Sequence, residues 1–299
     1  MLKRLPFLGC LALAIGLLAT GMAPVHASAQ DNPGDLETLR NSIRTEPPRS
    51  LSAAPSAEQN ERCRDRDEGP DADDPASDFL GRLFVASAWA TLTAPIVLPR
   101  AWADDDYHVA GYFPDYPWRG DAGGNLILYR PGLDDFKTWS LQTQTEYADN
   151  FDGLSRIGTR FQLDTTSRFG LDAEFNYWRE SLGERRLDDL WTGDLNGLYR
   201  FAQAEWMQMR IGPGINWLSD EIGTDFGFNL SYQGDFFPRK SWIISAELDW
   251  GTLGDEMLLH TRITTGWQWK HLEVFTGYDL YRVADTALQG MLGGIRVWF

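Results

Sequence analysis

The sequence predicts an all-β chain: an antiparallel up-and-down transmembrane β-barrel of about ten strands over residues 139–299, preceded by a largely irregular N-terminal extension. Three observations predict it. From Trp139 onward, segments of roughly ten residues alternate apolar and polar side chains, which is the period of a strand with two unlike faces and the length a tilted strand needs to cross a bilayer. The connections alternate between tight ones (165–168, 202–204, 238–241, 270–271) and longer, often acidic ones (148–153, 179–189, 219–225, 252–256, 283–287). The outward aromatic side chains fall into two bands, one at each end of the strands, where amphipathic rings settle at membrane interfaces.

The chain opens on Met1, Leu2, Lys3 and Arg4, stays apolar over 5–23 and reaches Ala27, Ser28 and Ala29 before turning polar. A basic start, a short apolar core and a small-residue site predict a secretory signal peptide over 1–29 rather than a spanning helix. Cys10 lies too early in the apolar run to accept a lipid, so the exported chain keeps one cysteine, Cys63, and has no intramolecular disulfide. Residues 30–78 are rich in Pro, Ser, Ala, Asp, Glu and Arg with few large apolar side chains, which predicts a disordered linker. Within it, Asp65, Arg66, Asp67, Glu68 and Gly69 miss the spacing of a calcium loop and read as a solvated charge run. Residues 79–138 read as an irregular, partly helical extension. Its apolar stretch 79–98 is broken by Arg82, Pro95 and Pro99, which favours a short helix packed on or inside the barrel. Residues 111–118 read as an aromatic-rich loop, and 125–130 as one more strand without an assigned partner.

The barrel strands follow. Trp139, Leu141 and Tyr147 alternate with Ser140, Gln142, Gln144 and Glu146; Ile157, Phe161 and Leu163 with Arg156, Arg160, Gln162 and Asp164; Phe169, Leu171 and Phe175 with Asp172, Glu174 and Asn176. Trp191, Leu195 and Tyr199 oppose Asp194, Asn196 and Arg200. Met207, Met209 and Ile211 oppose Gln208 and Arg210, with Pro213 accommodated by a bulge at 212–214. Phe226, Phe228 and Tyr232 oppose Asn229, Ser231, Gln233 and Asp235; Trp242, Ile244 and Trp250 oppose Glu247 and Asp249. Leu259, Ile263, Trp267 and Trp269 oppose His260, Arg262 and Gln268, and Leu272, Val274 and Tyr278 oppose Glu273 and Asp279. With strand direction set by the loops, Trp139, Phe169, Tyr199, Phe201, Phe236, Trp242, Trp267, Trp269 and Phe299 form one band, and Tyr147, Tyr177, Trp191, Trp217, Phe226 and Trp250 the other.

In the last strand Met291, Gly293, Ile295, Val297 and Phe299 share one face and Gly290, Gly294 and Arg296 the other, while Leu292 and Trp298 interrupt the polar side. This ending resembles the closing strand of bacterial outer-membrane β-barrel proteins. The resemblance implies that Phe299 is the assembly signal read by the barrel-assembly machinery, that the apolar face meets outer-membrane lipid, and that both termini are periplasmic. The run from Leu248 to Gly254, with the ending from Gly294 to Phe299, resembles uncharacterised exported proteins of planctomycete-type bacteria and implies no activity. Outer-membrane proteases share the strand number, but their paired Asp and Asp-His sites have no clear counterpart here.

Hairpin geometry pairs the inward residues. A turn at 270–271 sets Arg262 opposite Asp279, Gln268 opposite Glu273 and His260 opposite Tyr281. A four-residue turn at 252–255 sets Glu247 opposite His260, and the 165–168 turn, with a bulge to align the polar faces, brings Arg160 near Asp172 or Glu174. These predict a lumen filled by its own ion pairs, with Arg160, Glu174, Arg262, Asp279, Glu273 and Arg296 in the network. The row Glu247, His260 and Tyr281 carries groups able to run acid–base chemistry, without a Ser or Cys nucleophile placed beside it; a buried structural network is the plainer account. There is no phosphate loop, no dinucleotide turn, no zinc-spaced Cys/His cluster and hence no cofactor to assign. The net charge of -16 and pI of about 4.6 argue against nucleic acid as partner. The expectation is a structural, adhesive or small-ligand-binding barrel, with a small-solute channel or transporter and an enzyme with a site near His260 as the alternatives.

Overall fold

The structure, a computed structural model, describes residues 34–44, 93–106, 109–120, 122–128, 136–182 and 186–299. The expected signal peptide, Cys10, Cys63, the 65–69 charge run and residues 79–92 lie outside them. In chain order the described elements are helix α1 (Asp35–Arg44), helix α2 (93–103), strands β1 (Gly111–Tyr112) and β2 (Ile127–Leu128), and ten long strands: β3 (Trp139–Asp149), β4 (Leu154–Thr165), β5 (Phe169–Ser181), β6 (Leu187–Ala204), β7 (Met207–Ser219), β8 (Thr224–Arg239), β9 (Trp242–Leu253), β10 (Glu256–Trp269), β11 (Leu272–Val283) and β12 (Thr286–Trp298).

β3 to β12 form a closed antiparallel barrel in which every strand pairs with its neighbours in sequence and β12 returns to β3, from Met291 opposite Asp149 to Trp298 opposite Gln142. Phe299 completes the seam: its N–H donates to the Leu141 carbonyl at 2.8 Å and its carbonyl accepts from Leu141 at 3.2 Å. The two faces are those the alternation predicts. Phe169 and Trp269, each 63 % exposed, stand on the outer wall, whereas Asp172 and Glu273 are wholly buried inside. Trp298, which interrupts the polar face, points inward and is reconciled with it by donating its indole N–H to Glu273 at 3.1 Å.

Connection length alternates only in part. The rim opposite the chain's barrel termini, here the far rim, carries the longer links 150–153, 182–186 and 220–223, but also 254–255 and 284–285, as tight as the turns 205–206, 240–241 and 270–271 of the terminal rim. Left-handed backbone at Gly254 (φ 59°) and Ala284 (φ 50°) lets those two hairpins close without extra residues. Residues 202–204, expected as a turn, belong to β6. The bulge expected at 212–214 lies instead between Arg200 and Ala202; at Pro213 the β6 ladder is merely interrupted and its register continues. No bulge separates β4 from β5, where Arg160 faces Glu174 in uniform register.

The N-terminal extension packs at both ends of the barrel. The expectation of a disordered 30–78 fails at α1, because composition conceals its periodicity: Leu36, Leu39 and Ile43 share one helical face. That face is buried in the far mouth against Leu154, Trp178, Leu190, Leu218, Leu258, Tyr281 and Leu288. The first turn has unpaired N–H groups, and the wall supplies their acceptor: Glu180 takes hydrogen bonds from Asp35 at 2.8 Å and Leu36 at 3.0 Å.

At the terminal rim, β1 and β2 pair with each other, which gives the 125–130 segment its partner, and Phe113 bridges to Lys137. Trp118 packs edge-on to Phe237 at 5.4 Å and Tyr116 to His271 at 4.7 Å. α2 packs on the outer wall, but it runs through Pro95 and Pro99, where the apolar stretch was expected to end. The Tyr232 hydroxyl donates to the Pro95 carbonyl at 2.7 Å, Arg168 grips Asp105 at 2.6 and 2.8 Å, and Ala103 joins Phe201, Met207 and Met209 in a cluster that is buried although it is on the outward face.

Candidate functional site

The strands bring the inward residues to a charged lumen whose geometry follows from register. Adjacent-strand pairing sets Arg262 beside Asp279, His260 beside Tyr281 and Gln268 beside Glu273, as the 270–271 turn predicts. The β9–β10 register differs from expectation. The turn is 254–255, so Leu253 faces Glu256, Asp249 faces His260 and Glu247 faces Arg262. The row Glu247, His260, Tyr281 therefore does not form: Glu247 lies two positions away and pairs with arginines.

His260 is held between two carboxylates, with Nδ1 3.1 Å from Asp249 and Nε2 2.9 Å from Asp279, and its ring lies 5.5 Å from that of Tyr281. Both ring nitrogens are thus engaged, and an imidazole so clamped has no nitrogen left to move a substrate proton.

The remaining contacts run across the barrel rather than along its wall. β10 and β5 stand five strands apart in either direction around the ten-strand ring, and Arg262 makes a bidentate pair with Glu174 at 2.6 Å to each oxygen. β4 and β9 are equally opposed; Arg160 bonds Asp172 through two nitrogens at 2.7 and 2.8 Å and reaches Glu247 with its third. Arg156, buried and stacked 5.2 Å from the Trp178 ring, bonds Glu146 and Asn176 and lies 3.3 Å from Asp279. Nearer the terminal rim Arg210 joins Asp164 and Asp235 at 2.7 Å each, and Arg296 joins Glu273 at 3.1 Å and Gln144 at 2.8 Å. All six residues expected in the network are in it. The inward charges, Glu146 among them, pointed to bridges across the lumen; sequence reasoning left Arg156, Asp164 and Asp235 out of the network and did not say which opposite residues meet, since hairpin registers report only adjacent strands.

Among the described residues, small cavities lie between these layers. One, of about 30 Å³, is lined by Gln144, Arg160, Arg210, Asp235, Glu247, Arg262 and Arg296 among others. The second, of about 10 Å³, lies beside His260. By volume they hold roughly one or two waters each, not an organic substrate. Among the described residues no group of three or more His, Cys, Asp and Glu side chains is arranged to hold a metal.

At the far mouth α1 brings cations to an acidic rim. Arg40 pairs with Asp188, and Arg44 reaches Asp220 and Asp225 at 2.8 Å each. The hydrogen bond to Asp220 holds the Arg44 guanidinium above its ordinary pKa. Burial pushes the Asp220 carboxyl up, but the bonds it accepts from Arg44 and from the Gly223 and Ile222 N–H groups outweigh burial and leave it below the usual carboxylate value. Burial, and then the charge of Asp152, raises Asp35.

No protein-family model and no curated protein matches the chain. Among solved structures it is similar to OmpT, an outer membrane protein of Vibrio cholerae, at 10 % identity and a TM-score of 0.28, over 52 % of this chain and 64 % of that one. It is also similar to the outer membrane channel DcaP of Acinetobacter baumannii, at 8 % identity and a TM-score of 0.26, over 60 % of this chain and 76 % of that one. The chain thus spans less than two thirds of the first of these, and at such scores neither likeness bears on its activity.

Proposed function

We propose that this chain is an integral outer-membrane β-barrel with a sealed lumen, serving a structural, adhesive or small-ligand-binding role without catalysis. The inverted distribution of side chains supports the membrane placement. Apolar residues such as Phe161, Phe175 and Leu195 are more than a third exposed around the middle of the outer wall, with Trp139, Trp242 and Trp267 at one end and Trp191, Phe226 and Trp250 at the other, while charges are buried inside. A water-soluble barrel exposing so broad an apolar belt would aggregate. Ile96, Val97 and Leu98 of α2 are exposed as well, so the helix that covers part of the wall presents apolar side chains in turn. Phe299, at the seam, is the residue we expect the barrel-assembly machinery to read.

The observation that carries the sealed-lumen reading is the pair of cross-lumen bridges, Arg262 to Glu174 and Arg160 to Glu247, each joining opposite walls. They cross the lumen a solute would need, and the cavity of about 30 Å³ beside them is lined by the bridging residues Arg160, Glu247 and Arg262. His260, with both ring nitrogens engaged by carboxylates, is not placed to serve as the base of the enzyme alternative. Envelope fractionation with alkaline carbonate extraction tests the placement: the protein should remain in the outer-membrane pellet, and recovery as a soluble periplasmic protein would sink the proposal.

A further inference from the structure

The cavity beside His260 is unlike the rest of the lumen, where carboxylates are met by arginines. It is lined by Asp194, Asp249, Asn216, Asn229, Thr192 and Tyr281 with a few others. Asp194 is held by an amide, Asn196 Nδ2 donating to its Oδ1 at 2.7 Å, and none of the lumen arginines pairs with it among the described residues. Three side-chain oxygens on this lining, Asn216 Oδ1, Asn229 Oδ1 and Asp249 Oδ1, are buried without a hydrogen-bond partner. Their residues are 3 %, 1 % and 2 % exposed. The amides cannot simply turn round, because Asn229 Nδ2 already donates to Asn196 Oδ1 at 2.9 Å and Asn216 Nδ2 to the Phe228 carbonyl at 3.2 Å.

Asn196 Nδ2 meets Asp194 Oδ1 and His260 Nδ1 lies 3.1 Å from Asp249 Oδ2, but Asp249 Oδ1 and the two amide oxygens meet no donor, and a small space lined by two carboxyl groups and three such oxygens suits a positive charge. Its size admits one atom-sized guest, which excludes ammonium compounds and guanidinium groups. From this geometry we infer that the cavity binds one hard, oxygen-liganded cation of calcium or sodium size, with Asp194, Asp249 Oδ1, Asn216 Oδ1 and Asn229 Oδ1 as its ligands. Only two of the donors are carboxylates, so the site differs from an acidic cluster. Mixed carboxylate and amide oxygens suit Ca²⁺ and Na⁺, whereas Mg²⁺ demands a tighter octahedron and gives up water reluctantly. Leu258 and Tyr281 line the cavity and also belong to the apolar floor on which α1 rests, so the ion is enclosed beneath that helix and exchanges when α1 lifts.

The test uses the full chain, folded in detergent and stripped with EDTA, in a buffer whose only cation is N-methylglucamine. Millimolar CaCl₂, MgCl₂ or NaCl is then added and Tm is read by far-UV circular dichroism. Ca²⁺ or Na⁺ should raise Tm saturably, by about 5–10 °C at a hundredfold excess over Kd, while Mg²⁺ does not. Asp194→Asn, which keeps shape and removes charge, should abolish the shift, and Asp152→Asn on an exposed loop should preserve it. Terbium, a calcium-sized probe, should show luminescence on excitation of Tyr281 and Trp178, the latter bonded to Thr192 at 2.9 Å. If no cation shifts the wild-type Tm, or if Mg²⁺ matches Ca²⁺, or if the shift survives in Asp194→Asn, the proposal is overturned; in the first case Asp194 is a neutral acid among waters. Should Asp194→Asn fail to fold, the wild-type series and the terbium signal decide.

Discussion

Removing the cation and removing the anion of the Arg262–Glu174 bridge should have unequal costs. In Glu174→Gln the guanidinium loses one bidentate charged partner but keeps Asp279 at 3.0 Å, with Glu146 at 3.3 Å and Glu247 at 3.5 Å. The lost charge assistance is worth about 2 kcal/mol. Deleting one acid also relieves repulsion, because buried carboxylates outnumber buried arginines in this barrel. In Arg262→Met, Glu174 is left with Arg156 at 3.4 Å and Asp279 with His260, so a positive charge is withdrawn from an acid-rich interior. Breaking a buried pair on that side costs about 4–5 kcal/mol. The double variant should cost less than the sum by about 1–2 kcal/mol, the coupling of groups in direct contact. Urea unfolding in lipid vesicles, followed by tryptophan fluorescence, reads all three. Equal costs for the single variants, or strict additivity, would refute the bridge as a link between opposite walls.

Docking of α1 should depend on pH in two opposed phases, read as protease sensitivity of the helix. Asp35, raised by burial, favours the docked state as pH falls through its folded value; Asp220, depressed overall, contributes stability present above about pH 4, its unfolded value, and lost as pH falls through the folded one. Protection that only rises on acidification, with no loss below about pH 4, would contradict the role of Arg44 and Asp220. Gly254→Val should destabilise by about 1–2 kcal/mol, since a branched residue is strained at φ 59° and a Cβ there would lie 2.9 Å from Ile43; the far mouth should become protease-sensitive as well, and an unchanged digestion pattern counts against the contact with α1. Phe299→Asp should reduce the folded, outer-membrane fraction several-fold on heat-modifiability gels, and normal assembly would remove its role as a signal.

The barrel was legible because burial is periodic: one face of every strand from Trp139 onward is apolar, and since soluble barrels and sandwiches alternate in the same way, the two aromatic bands had to tell them apart. Adjacent ion pairs were legible wherever the turn was, as at 270–271. At 252–255 Gly254 was read as part of a four-residue turn, and a two-residue error moved His260 from Glu247 to Asp249. α1 was missed because a ten-residue helix in a polar tract gives a weak compositional signal, although Leu36, Leu39 and Ile43, acids at Asp35 and Glu37 and a base at Arg44 were there to be counted. Parity placed Arg262 and Glu174 among inward charges able to bridge the lumen, but their pairing with each other had no sequence signal. It depends on closure of the ring, which sets β5 opposite β10 only once every strand is in place.

The sealed lumen is tested most directly by single-channel recording of the purified full chain in planar bilayers. With the Arg262–Glu174 and Arg160–Glu247 bridges across the lumen and the N-terminal extension packed at both ends, the protein should insert without steady conductance at moderate voltage, and Arg262→Met should introduce flickering, short-lived openings. Stable porin-sized openings from the wild-type chain would contradict the account.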